Sequence, residues 1–229
     1  MKVSEYERVA AVWWHRSRMA SRAEKIADAI VHGVGLVVAL LAGSALLTVA
    51  LIKTAPQEFP ALVVYVASLV AVLSVSMAFN LWPRTGIKRV LARFDQAAIF
   101  LFIAGTYTPF LSLMWGTPEG VGLTIFVWSA ALIGVALKLI VPMHFGRLAI
   151  VLYLAIGWSG ILVFQGLAAA LPSAALWLLV AGGITYSLGI IFHLWEKLAF
   201  QNALWHTFVV VGASLHLIAI FDAMVFSRW

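Results

Sequence analysis

Three side chains able to carry protons or hold metal ions recur at one-turn intervals early in the chain: Glu24, Asp28 and His32, spaced i, i+4, i+8. Residues four apart share one face of a helix, so the three point the same way. Two more pairs have that spacing, Ser76 with Asn80 and Asn202 with His206, and a carboxylate, Asp95, opens the third apolar stretch. Imidazole, carboxylate, hydroxyl and amide groups gathered in one place can bind a divalent ion, relay a proton, or form a neutral hydrogen-bonded knot. The chain has no cysteine, which excludes thiolate ligands and disulfides and leaves any metal to nitrogen and oxygen donors.

What positions these groups follows from composition. The 229 residues are 64% hydrophobic and only 10% charged, with a mean hydropathy of +1.04. A soluble domain keeps about 25% charged residues to meet water, so most of this surface faces something else. A bilayer core of ~30 Å needs about 20 apolar residues per helix. Seven stretches qualify: 29–52, 61–82, 96–115, 120–141, 147–170, 173–194 and 203–226. The fold class expected is therefore an all-α, seven-transmembrane-helix bundle filling 29–229, preceded by a basic arm at 1–28. Met1 to Ala27 has no apolar core of signal-peptide length, and its arginines suit an arm lying at the membrane surface.

Charge distribution sets the expected orientation. Six basic residues fall in the arm (Lys2, Arg8, Arg16, Arg18, Arg22, Lys25) and four between the second and third spans (Arg84, Lys88, Arg89, Arg93). With Lys138, Arg147 and Lys197, thirteen lie on the side of the N-terminus, against Lys53 and Arg228 on the other. The positive-inside rule then places the N-terminus in the cytoplasm and the C-terminus outside. The net charge of +6 is thereby a topology signal, not a nucleic-acid footprint. Trp82, Trp195 and Trp205 fall near inner helix ends, with Trp115 and Trp229 near outer ones. Under this topology every group in the opening set belongs to the cytoplasmic end. Ionisable residues at membrane depth are costly and mark function by default.

Each group also has a structural reading. Glu24, Asp28 and His32 fit an N-terminal cap favoured by the helix dipole, and Ser76 with Asn80 fits a bridge between helices. Asp95 fits a cap of the third helix or a partner of Arg93, Asn202 a cap of the seventh, and His206 an interfacial hydrogen bond. His216 lies ten residues beyond His206, about 15 Å deeper, where an interhelical hydrogen bond is expected. His15 and His144 are expected in solvent, and His193 as an interfacial anchor near Glu196 and Lys197. Ala181-Gly182-Gly183 lies inside a span and reads as close helix packing, not a phosphate loop.

The stretch SMAFNLWPRTGIKRVLARFDQAAIFLFIAGTYTPF, Ser76 to Phe110, resembles the signature of the bacterial hemolysin III proteins, part of the wider progestin and adipoQ receptor superfamily. The likeness extends to AEKIADAIVHGVG in the first span and LWHTFVVVGASLHLIAI in the seventh. It implies a zinc site at the cytoplasmic end of the bundle, with Ser-x-x-x-His closing the second helix, an Asp opening the third and His-x-x-x-His in the seventh. The histidines of that pattern hold the metal, and the aspartate and serine lie near it or its water. On this chain the pattern falls on Ser76, Asp95 and His206, with Asn80 and Asn202 at the other two ligand positions. An amide oxygen is a weak donor to zinc, so the resemblance implies a depleted site, supported by the polar run Glu24, Asp28 and His32. Lipid homeostasis in a bacterial inner membrane is the leading expectation, with membrane lipids, one of them bound within the bundle, as partners and no nucleic acid. Zinc-dependent hydrolysis of a lipid amide or ester is the alternative, with Asp95 and Ser76 assisting. Pore formation or transport comes third, because polar residues at mid-span are few: His216, Thr185 and Ser187.

Overall fold

The computed structural model describes residues 20–83, 85–140 and 146–228. The expectations for His15, His144 and Trp229, and for Lys2, Arg8, Arg16, Arg18 and Arg84, fall outside them. The described residues are helical with no strand: α1 (Arg22–Lys53), α2 (Phe59–Leu81), α3 (Gly86–Ser112), α4 (Pro118–Ile140), α5 (Gly146–Gly157), α6 (Phe164–Ala170), α7 (Ser173–Leu194) and α8 (Gln201–Met224). A 3-10 turn, Ser159–Val163, joins α5 to α6, so that Leu148–Ala170 forms one span. Seven helical segments are long and apolar enough to cross a membrane, which bears out the expected bundle.

Helices begin earlier than the apolar stretches at two places that matter. The first starts at Arg22, because Ser21 and Glu24 form a reciprocal capping box: Glu24 N–H donates to Ser21 Oγ at 3.2 Å and Ser21 N–H to Glu24 Oε2 at 2.7 Å. The cap reading thus holds for Glu24, while Asp28 and His32 lie one and two turns farther in. The third starts at Gly86 behind Thr85, so Asp95 sits well inside the helix. The expectation that it caps that helix is corrected. Polar first turns carry no hydrophobic signal, which is why the apolar pattern stops short of them.

The buried stripe of α1 runs Glu24, Asp28, His32, Gly35, Ala39, Gly43, Leu46, Ala50, a helical period that turns from polar to apolar after His32. A Cβ on Gly35 would meet Val210 at 2.6 Å and one on Gly43 would meet Val66 at 2.9 Å, so these glycines let α8 and α2 approach closely. The core is apolar, including Leu46, Leu62, Tyr65, Phe100, Leu111 and Ile220. Large hydrophobics such as Leu41 and Ile52 point outward, where lipid takes the place of water.

Helix α1 packs on α2 and α8, α2 on α3, α3 on α4 and α8, and α7 on α8. The start of α1, the end of α2, the first part of α3 and the start of α8 therefore meet at one end of the bundle. The fifth span breaks without a proline, and Tyr107 of α3 repairs the break. Its hydroxyl donates to the Gly157 carbonyl at 2.7 Å and accepts the Gly160 N–H at 2.8 Å.

A candidate metal centre at one end of the bundle

Two imidazoles lie at the centre of the polar end. His32 on α1 is 1% exposed and His206 on α8 is 8% exposed, with ring centroids 4.2 Å apart. Asp28, one turn before His32, orients both. Its carboxylate accepts from His206 Nδ1 at 2.6 Å, while its backbone carbonyl accepts from His32 Nδ1 at 2.8 Å. A carboxylate and a carbonyl can only accept, so both Nδ1 atoms carry a proton, and a ring in its neutral form presents a lone pair at Nε2. These two Nε2 atoms face the same hydroxyl, Ser76 Oγ, at 3.3 Å from His32 and 3.5 Å from His206.

Ser76 is approached from two further sides. Asn80 Nδ2 donates to Ser76 Oγ at 3.3 Å and to the Ser76 carbonyl at 2.9 Å. Asp95 lies within electrostatic reach of Ser76, His206 and Asp28. As neutral rings, His32 Nε2 and His206 Nε2 compete for the single Ser76 hydroxyl proton. A buried acceptor without a donor is unfavourable by about 1–3 kcal/mol. A cation near the two Nε2 atoms would satisfy the one left over.

The donor set fits a divalent ion, and the distances say on which side. Asp28, His32 and His206 bring ligand-type atoms within 4.8 Å of one another. Two ligands on one tetrahedral zinc lie about 3.3 Å apart, given bonds of about 2.0–2.1 Å. The 2.6 Å between Asp28 Oδ1 and His206 Nδ1 is too short for an ion to separate them. Asp28 is therefore the carboxylate that holds the ring from behind, a common arrangement at metal-bound histidines. The ligand face would be Nε2 of both rings, with the Ser76 hydroxyl between them.

The structure brings together Asp28, His32, Ser76, Asn80, Asp95 and His206. Asn202 is on the exposed side of α8, one turn before buried His206. Its expected role as a cap is corrected: the residue before α8 is Phe200, left-handed at φ 58°, whose N–H donates to Glu24 Oε1 at 2.8 Å. Glu24 thereby joins the starts of α1 and α8 from outside the imidazole pair. Lys138, counted above among the inner-face charges, is 2% exposed, and its ammonium donates to Gln96 Oε1 at 2.7 Å, next to Asp95 in sequence. Tyr153 donates to the Gln96 carbonyl at 2.7 Å. Nothing in the spacing of Lys138 and Tyr153 announces this layer, because it forms only where α3, α4 and α5 meet. Lys88 closes the end of α2, donating to the carbonyls of Asn80 and Trp82 at 3.1 and 3.0 Å. His193 is exposed beside Trp205, their rings 5.0 Å apart.

A profile of the family described as HlyIII, Haemolysin-III related, matches residues 21–217. The chain is 35% identical over 191 residues to "Hemolysin-3 homolog" of Bacillus subtilis (strain 168), covering 83% of this chain and 90% of the relative. It is 34% identical to "Hemolysin-3" of Bacillus cereus, covering 84% and 88%. Human "Monocyte to macrophage differentiation factor" is 29% identical over 163 residues, 69% of this chain and 67% of the relative. No solved structure matches significantly.

Proposed function

Because the chain belongs to the haemolysin-III-related family of multi-pass membrane proteins, we propose that it serves membrane lipid homeostasis through a divalent metal ion held at the end cluster. The observation that carries the metal is the convergence of His32 Nε2 and His206 Nε2 on Ser76 Oγ, with Asp95 within electrostatic reach. Zinc is the first candidate, since two imidazoles and a carboxylate are its ordinary donors. His32, from α1, makes good one of the imidazoles that Asn80 and Asn202 do not provide. The basic bias of the sequence supports a cytoplasmic position for this end, and the Bacillus relatives support a bacterial inner membrane.

Elemental analysis of freshly purified protein tests this reading. About one divalent ion per chain is expected, falling to background in His32→Ala and His206→Ala. A metal-free unsubstituted protein that gains metal only as Asn80→His/Asn202→His would sink it, and would mark the site as depleted.

A second reading, hydrolysis of a lipid amide or ester, is favoured by the contact between Asp95 and Ser76. A bound divalent ion would supply Lewis-acid polarisation of a lipid carbonyl. Asp95 can take or return a proton at the Ser76 hydroxyl, while Asp28 holds His206 in the required tautomer. Turnover of a lipid amide or ester by the purified protein, lost in Asp95→Asn, distinguishes this from a non-catalytic role. The pore-forming reading rests on the names of the Bacillus relatives, and a liposome leak equal to that of empty vesicles would remove it.

A further inference from the structure

Deeper in the bundle, three buried polar atoms have no hydrogen-bond partner among the described residues: the hydroxyls of Tyr65 and Tyr186, and His216 Nδ1. They come from three helices, α2, α7 and α8. Tyr65 is fully buried, and its hydroxyl lies within electrostatic reach of that of Tyr186. The rings of Tyr186 and His216 meet edge to face with centroids 5.4 Å apart. Two glycines make the contact fit. A Cβ on Gly182 would come within 2.3 Å of the His216 ring, and one on Gly212 within 3.0 Å of the Tyr186 ring. Each ring is thus seated on a glycine of the opposite helix. This level is separate from the metal centre: Tyr65 precedes Ser76 by eleven residues and His216 follows His206 by ten, about 15 Å along each helix.

The protons can be assigned. His216 Nε2 donates to the Leu179 carbonyl at 3.1 Å, fulfilling the expected interhelical bond and leaving Nδ1 as a pure acceptor. Each tyrosine hydroxyl donates one hydrogen bond and accepts others. In a bilayer interior no bulk water can meet such groups, and phenylalanine would fill the same space as tyrosine without the penalty. We propose that Tyr65, Tyr186 and His216 form an internal binding site for a small hydroxylic molecule, either water or the hydroxyl of a membrane alcohol. An O–H group meets all three: it donates to His216 Nδ1 and its two lone pairs accept from the two tyrosine hydroxyls. A carbonyl or an anion leaves His216 Nδ1 without a donor, and a cation meets two neutral phenols, which are poor ligands.

The test pairs Tyr65→Phe and Tyr186→Phe with a high-resolution density map of the unsubstituted protein. With the molecule bound, each substitution lowers Tm by about 2–4 °C, and the map carries a non-protein peak within hydrogen-bond distance of at least two of the three atoms. An isolated peak identifies water. Extended density, with a lipid retained in native mass spectrometry, identifies a membrane alcohol. A rise in Tm in both phenylalanine variants, or a map with no peak at the three atoms, overturns the proposal. The map decides the matter even where a variant does not fold.

Discussion

Two polar levels lie on the same pair of helices, α2 and α8, and they are built in opposite ways. At the end of the bundle each donor is bound: Asp28 holds His206, the Asp28 carbonyl holds His32, and Asn80 holds Ser76. What that level lacks, with neutral rings, is a second donor, since two imidazole nitrogens share one hydroxyl proton. At mid-span the rings of Tyr186 and His216 are seated on glycines, yet their polar atoms and the Tyr65 hydroxyl have no partner among the described residues. The first arrangement asks for a cation, the second for a neutral molecule with an O–H. The lone pairs decide which. Two imidazole nitrogens with a carboxylate attract a metal, whereas one imidazole nitrogen with two phenols does not.

Substitutions can separate the two levels, beginning with the largest effect. His206→Ala leaves the Asp28 carboxylate buried without its donor and should cost about 3 kcal/mol or more. Chemical denaturation measures this, and a cost under about 1 kcal/mol would mean that the end cluster is not held as described. Glu24→Ala removes both the capping box of α1 and the bond to the Phe200 N–H, so a loss of about 1–2 kcal/mol is expected with metal still bound. Tyr107→Phe deletes two bonds to the broken backbone of the fifth span and should cost about 1–2 kcal/mol. That makes it a control for the mid-span tyrosines, because the Tyr107 hydroxyl is already bonded within the protein. Smallest of all, Asn202→Ala on the exposed side of α8 should stay within about 0.5 kcal/mol and leave the metal content unchanged. Metal lost on this last substitution would return Asn202 to the ligand set.

Much of the architecture was legible in the chain. Seven apolar stretches of spanning length dictate helices, because a lipid interior demands that each segment satisfy its own backbone. The signature around Ser76 to Phe110 pointed to the family that the comparisons establish. The polar residues of the end cluster were all visible too, but their ranking was not. Read from spacing, Glu24, Asp28 and His32 form one supporting stripe, and Asn202 pairs with His206. In the structure the stripe divides: Glu24 ties helix starts together, Asp28 aims an imidazole, and His32 faces Ser76. His206 lies one turn deeper in the bundle and is buried, while Asn202, in the first turn of α8, is exposed.

By itself the sequence determined the number of spans, the family and the presence of ionisable groups near one end of the bundle, since hydropathy and spacing are properties of single segments. Tertiary structure alone decided which lone pairs converge, that Asp28 stands behind a ring instead of beside an ion, and that Tyr65, Tyr186 and His216 meet at all. The reason is physical: those facts depend on the relative rotation and depth of helices distant in sequence. Glycine-mediated packing sets that rotation and depth, and no periodicity within one helix records it.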